Sequence, residues 1–372
     1  MDPAEQPTPR RRDDSSGKGD RPTAPPAAGI VRLKVVLFAM AAFTMLALVA
    51  GGAWLWLDYQ HDLDTPLELG VKSLTYEVRP GMSIARVARD LRRRGILRRS
   101  WTFAWWARLE PRRAAIKIGE YRIDSGLTPR ELLALLQRGK VVQHSLTLIE
   151  GWTFAQMMEA VDADLYLEHR LRGLSPAAVM ARLGHPDIQP EGRFLVDTYY
   201  FPKGMSDIRF LRRAYDAMSR RLKAEWAARA PDLPLATPDE ALILASIIEK
   251  ETSVAGERRR VAGVFIRRLR RGMRLETDPT VIYGLGTAYR GRLRHADLRR
   301  DTPYNTYTRI GLPPTPICLP GAAALNAALH PADGDALYFV ATGEGGHYFS
   351  ATYGEHRKAV ARYRRSRRKS TN

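Results

Sequence analysis

The polar and apolar positions of this chain fall into blocks of different period. Residues 1–32 have no apolar period and are rich in Pro, Arg, Asp, Ser and Gly, which predicts a disordered tail. VVLFAMAAFTMLALVAGGAWLWL, residues 35–57, then gives 23 residues without a charge. As a helix it is about 34 Å long, against roughly 30 Å for a bilayer core. A transmembrane helix is therefore predicted over 33–57. Arg32 and Lys34 flank its start, Trp54 and Trp56 its far end, and Asp58, Asp62 and Asp64 follow. The excess of basic residues before the span puts the tail in the cytoplasm and residues 58–372 on the opposite side. A cleaved signal peptide is the competing reading, but the run is long and no clean small-residue cleavage site follows it.

After a linker over 58–72 the period shortens. LTYEV (74–78) alternates like a strand, and Pro80-Gly81 turns the chain. SIARVARDLRRRG then places Ile84, Val87, Ala88 and Leu91 on one helical face, and Gly95 closes the helix. A second helix carries Trp101, Phe103, Trp105 and Trp106, and GEYRI (119–123) reads as a strand. Strand–helix–helix–strand is thus expected within 73–145. Its tryptophans are assigned to core volume in preference to sugar stacking, because a small domain needs bulk first. Thr128-Pro129-Arg130-Glu131 is a capping box that opens the helix LLALLQRG, ended by Gly139. Residues 207–229 predict an Arg-rich amphipathic helix with a solvated charged face.

TPDEALILASIIEKET, residues 237–252, is the most apolar block after the membrane span. Thr237 is its expected cap, Pro238 its first helical residue and Glu240 the partner in a capping box. Leu244, Ile247, Ile248 and Glu251 follow i, i+3, i+4, i+7 spacing, so Glu251 continues the apolar stripe. A carboxyl there is poorly solvated, which raises its pKa and suits it to general acid chemistry. Glu249 points roughly 160° away on the helix wheel, so one of the pair can face a cleft while the other meets solvent or a basic partner. The plainer alternative is a wet helix end. Further on, LYFVA and YFSAT flank GEGGH (343–347), the pattern of a β-hairpin. GEGGH lacks the Lys-Ser/Thr and following helix of a phosphate loop, and His347 is expected to be structural.

Composition narrows the partners. The 372 residues carry a formal charge of +19. Residues 1–34 contribute +2 (seven basic, five acidic), so +17 lies downstream. Such a surface suits nucleic acid, anionic lipid or an acidic polymer, although arginine-rich coding alone also produces it. The topology argues against nucleic acid. Cys318 is the sole cysteine, so no intrachain disulfide forms, and no Cys/His cluster has zinc spacing. Neither a metal nor a cofactor is expected.

The blocks ASIIEKET, VAGVFIRRL, GMRLETDPTVIYG, DTPYNTY, GLPPTPI and LYFVATGEGGHYFS run in one order from Ala245. Together they resemble the YceG-like family, the endolytic murein transglycosylases, with a weaker likeness over 74–205. In the segment EGRFLVDTYYFPKGM (191–205), Val196 stands where the family pattern has Pro, which leaves the local loop geometry open. The resemblance implies an α+β protein: a single transmembrane helix, a LysM-like module (73–145), then a lysozyme-related mixed α+β catalytic region (146–363, core 237–356). A basic tail, 364–372, is expected to be frayed.

The implied reaction cleaves the bond between N-acetylmuramic acid and N-acetylglucosamine in nascent peptidoglycan. It leaves a 1,6-anhydro ring and ends strand growth. The implied setting is the outer face of a bacterial inner membrane, beside peptidoglycan synthases. Glu251 is the expected acid/base, with Glu249 as the alternative. Thr277, Asp278, Tyr283, Asn305 and Tyr307 are assigned to substrate, although Asp278 equally suits a helix cap. Two other functions stay open: a non-catalytic glycan-binding scaffold, and a muramidase-type hydrolase with a second carboxylate from Glu276, Asp278 or Asp197.

Overall fold

The computed structural model describes residues 28–109 and 116–370. The disordered tail expected over 1–32 therefore falls mostly outside the described residues. Helix α1 runs from Ala28 to Asp64, further at both ends than the predicted span. By length and composition it is able to cross a membrane. From Arg32 to Leu57 its side chains are exposed, and beyond them Tyr59, Asp62 and Leu63 are buried. The first part of the expected linker is thus helix, held by packing against the domain that follows.

That domain has the predicted order: β1 (Ser73–Val78), α2 (Ile84–Arg93), α3 (Ser100–Leu109) and β2 (Gly119–Asp124). The strands pair antiparallel from Ser73↔Asp124 to Val78↔Gly119. Helix α4 (Pro129–Arg138) closes the core, its start fixed by the capping box of Thr128 and Glu131. Gly139 ends α4 in the left-handed region (φ +71), and a Cβ there would run into the Lys117 side chain. Tyr76, Leu91, Phe103, Tyr121 and Leu132 fill the interior. The tryptophan expectation needs correction. Trp101 and Trp105 are more than half exposed. Only Trp106 packs partly against the core, under the Arg130 guanidinium at 4.3 Å. Phe103 supplies the volume instead.

The rest of the chain builds two further cores. β3 (Gln143–Thr147) pairs antiparallel with β4 (Thr198–Pro202), and α5 (Phe154–Ala163), α6 (Pro176–Leu183) and α7 (Asp207–Ala227) pack around them. Glu120 of β2 ties this unit to the first domain. Its carboxylate meets His144 at 2.8 Å and Lys203 at 2.9 Å, and its carbonyl accepts Val142 N–H at 2.7 Å. Helix α8 (Pro238–Glu251) runs through the other core, with every residue from Ala241 to Ile248 buried. Around it lie α9 (Arg258–Arg270), α10 (Asp278–Leu285) and α12 (Ala322–Leu329), and the short α11 (His295–Arg299) packs on α10. The hairpin of β5 (Tyr338–Ala341) and β6 (His347–Ser350) and helix α13 (Tyr353–Ser370) complete the chain. Among the described residues, three separate two-stranded sheets set among helices make a mixed α+β fold. The C-terminal stretch expected to fray is helical to Ser370.

The capping box at α8 is only half closed. Thr237 accepts Glu240 N–H at 3.2 Å, but the Glu240 carboxylate reaches back to Ala236 N–H at 2.5 Å.

Candidate active site

The last turn of α8 carries both candidate carboxylates out of an apolar core. Glu251 opens on a cleft of about 460 Å³. Leu275, Glu276, Asp278 and Tyr307 form one wall, and Tyr338, Phe339, His347 and the start of α13 the other. Thr277 donates its hydroxyl to Glu251 Oε1. Burial pushes the Glu251 carboxyl above the ordinary range. The Thr277 hydrogen bond and His347 oppose this, and the neighbouring Asp278 charge adds to it. A carboxyl so placed keeps its proton to higher pH than a solvated one.

Glu249 meets a different environment. Its side chain is buried, and it accepts Gly321 N–H at 2.8 Å and lies 3.7 Å from Arg258. Burial raises its pKa too, while the Gly321 N–H and Arg258 act against the rise. It does not line the cleft.

Thr277 reaches Glu251 because the backbone before it is bent. Glu276 adopts φ +53, an uncommon conformation for a residue with a side chain. Arg268 holds this bend. Its buried guanidinium donates to the Arg274 and Leu275 carbonyls at 3.0 and 3.1 Å and to Glu276 Oε2 at 3.1 Å. It also reaches the Leu337 carbonyl at 2.7 Å, so one side chain links both walls of the cleft. Below, three buried threonines interlock. Thr306 Oγ1 accepts Thr277 N–H at 3.1 Å and lies 2.9 Å from Thr280 Oγ1.

The predicted substrate residues divide into two groups. Glu251, Asp278 and Tyr307 line the cleft, and Thr277 backs Glu251. Tyr307 donates its hydroxyl to Asp278 Oδ1 at 2.7 Å, so Asp278 faces the cleft and makes no side-chain cap for α10. Asn305 does not reach the cleft. It is buried, its amide donates to three carbonyls between Asp297 and Arg300, and its Oδ1 accepts Tyr307 N–H at 2.9 Å. It shapes the loop that presents Tyr307. Tyr283 also lies elsewhere, donating to Glu191 Oε2 at 3.0 Å and packing edge-on against Tyr304. Of the three possible second carboxylates, Glu276 and Asp278 line the cleft and Asp197 does not.

Sequence reasoning passed over three groups. Arg268 falls within the block VAGVFIRRL and carries no assigned role. His347 was assigned a structural role, but not its partner: Glu257 accepts from its backbone N–H at 3.0 Å and meets its ring at 2.7 Å. Glu191 is buried, accepts Phe154 N–H at 2.9 Å, and is pushed up to about 7 by loss of solvent. No local period marks any of these, since each partner lies on another element. Among the described residues no cluster of His, Cys, Asp and Glu has the makings of a metal site.

The chain is 27% identical over 335 residues to the endolytic murein transglycosylase of Bacillus subtilis strain 168, covering 85% of this chain and 91% of that one. It is 26% identical over 366 residues to the endolytic murein transglycosylase of Streptococcus pneumoniae serotype 2 strain D39, covering 88% of this chain and 65% of that protein. A crystal structure of a yceG-like protein from Listeria monocytogenes is 28% identical, covers 77% of this chain and 98% of that one, and superposes with a TM-score of 0.49. The model of the YceG-like family matches residues 76–362, most of the chain and all of the cleft's walls, and the chain belongs to that family.

Proposed function

We propose that this protein is a membrane-anchored endolytic lytic transglycosylase acting on nascent peptidoglycan. The observation that carries the reading is a single poorly solvated carboxyl, Glu251, opening on a cleft with one hydroxyl partner. The relatives named endolytic murein transglycosylase supply the substrate class.

One carboxyl suffices for the chemistry. Protonated Glu251 gives its proton to the oxygen leaving C1 of the muramic residue, and the C1–O bond breaks. The muramic 6-hydroxyl then bonds to C1, and the Glu251 carboxylate takes the proton that hydroxyl loses. The carboxyl ends as it began, and no water is consumed. The Asp278 carboxyl, held by the Tyr307 hydroxyl, would suit the positive charge that develops on the sugar ring. Helix α1 would anchor the enzyme in the inner membrane with its tail in the cytoplasm, as Arg32 and Lys34 suggest. The first domain would serve as a LysM-like glycan-binding unit. Strands emerging at the membrane would be cut there, ending their elongation, beside peptidoglycan synthases.

A second reading has one observation in its favour. Asp278 shares the cleft with Glu251, as the second carboxylate of a hydrolase would. Mass spectrometry of glycan products separates the two, using the full-length protein and its Glu251→Gln variant. Anhydro-muramic ends that vanish in the variant are expected. Reducing muramic ends would replace the lyase with a muramidase, and equal cleavage by both proteins would remove Glu251 from the chemistry.

A further inference from the structure

Helix α3 presents a face that the proposed chemistry does not use. Trp101, Trp105 and Leu109 recur every four residues along it, and all three are more than half exposed. Exposed tryptophans at this spacing, on a helix with a good buried face of its own, are not needed for the core.

Their position is set by the anchor. Asp58 pairs with Arg99, Asp62 accepts the Thr102 hydroxyl at 2.6 Å in a buried contact, and Asp64 pairs with Arg130 at 2.6 Å. These contacts span about two turns of α1; the first two hold the start of α3 against it, and the third holds α4. An aromatic series continues across the junction. The Trp56 ring lies 5.7 Å from Tyr59, and Tyr59 stacks on Trp101 at 6.2 Å. Tyr59 is two residues past Leu57, the end of the uncharged run, a rise of about 3 Å. The Trp101 ring therefore lies within roughly 10 Å of the hydrocarbon boundary, at headgroup depth, where indole rings partition. Beside it, Arg86, Arg89, Arg92 and Arg93 of α2 line a groove that reaches Ser100 at the start of α3. Arg93 also pairs with Asp90, and the groove as a whole remains strongly basic. That charge complements anionic phospholipid headgroups.

We propose that the α3 face is a second membrane contact. On this reading Trp101 and Trp105 insert into the interface of the leaflet from which α1 emerges, and the α2 arginines bind its anionic headgroups. The proposal rests on α1 being a membrane anchor. Its consequence is that the first domain lies on the bilayer instead of standing off it.

The test uses full-length protein in nanodiscs containing phosphatidylglycerol, on a Cys318→Ser background. A nitroxide is placed either at Leu46→Cys, within the anchor, or at Trp105→Cys. Collision with oxygen and with a water-soluble nickel chelate reports depth. Both labels are expected to favour oxygen severalfold, and adding Trp101→Asp should return the residue-105 label to water while the residue-46 label stays in lipid. A residue-46 label in lipid with a residue-105 label open to nickel would overturn the proposal and spare the anchor. A residue-46 label open to nickel would overturn both. A residue-105 label shielded from both reagents would also overturn it: dipolar broadening would then identify a second copy on this face, and immobilisation only on adding glycan strands would identify a sugar site.

Discussion

The two faces of the last turn of α8 carry the same side chain into different surroundings. Both Glu249 and Glu251 lose solvent, and burial raises both carboxyls. Glu249 then meets the Gly321 N–H and Arg258, which favour its charged form and hold it in place. Glu251 meets one hydroxyl, the repulsion of Asp278, and an open cleft. Burial alone therefore does not distinguish the two. What separates them is whether the buried group's remaining valence faces protein or an open cleft. Glu191 supports the point, because it is raised to about 7 and yet spends both oxygens on Phe154 N–H and the Tyr283 hydroxyl.

The sharpest way to break this comparison is to exchange the roles by mutation. Glu251→Gln should lower kcat by about 10²- to 10⁴-fold, the usual worth of general acid–base catalysis, with little change in melting temperature. Glu191→Gln should leave kcat within a few-fold but flatten the pH dependence of stability. Glu191 binds its proton more tightly folded than unfolded, so its contribution is complete below about pH 4.5 and is lost as pH rises through about 7. That loss amounts to roughly 3 kcal/mol, and thermal melts at pH 5 and 8 should converge in the variant.

Glu249→Ala should be the converse of Glu251→Gln. It leaves the Gly321 N–H and Arg258 without their carboxylate, costing about 2–3 kcal/mol of stability, while turnover per folded molecule changes less than tenfold. A thousandfold loss of turnover with an unchanged melt would reverse the two assignments. Tyr307→Phe should lower kcat/KM about tenfold, near 1.4 kcal/mol, by removing the donor to Asp278. The smallest change is expected from Thr277→Val. The lost hydroxyl favoured the charged form of Glu251, so its pKa rises further and the alkaline limb of the kcat/KM profile moves to higher pH. A shift to lower pH would mean that Thr277 does not act on Glu251.

Much of the fold could be read from local pattern. The caps at Thr128 and Thr237, the strand–helix–helix–strand order and the hairpin around residues 342–346 each depend on neighbours a few residues apart. The same holds for the opposed directions of Glu249 and Glu251. The readings that failed depended on how separate elements meet. Asn305 and Tyr307 belong to one polar motif, yet the first turns inward to three carbonyls and the second outward to the cleft. Tyr283 is assigned to substrate with Thr277 and Asp278 because it shares their family-like block, but α10 carries it towards Glu191. The tryptophans were counted as core volume, since composition does not reveal which face of α3 the domain covers. Arg268 gave no signal within a run of arginines, because its partners lie on both walls of a cleft that only tertiary packing forms.

The unbroken course of α1 from the apolar run to Asp64 makes rotational phase a heritable property of this protein. Each residue of a helix adds about 100° of turn and about 1.5 Å of rise. One residue inserted between Leu57 and Asp58 would swing the first domain by more than a quarter-turn about the apolar helix, carrying the cleft's orientation with it through the Glu120 joint. Seven inserted residues would restore the phase to within about 20° and lift the domain by roughly 10 Å. Length changes at this junction should therefore disturb either the cleft's orientation or, in whole heptads, the height of the first domain, a periodic constraint on an otherwise ordinary stretch of sequence.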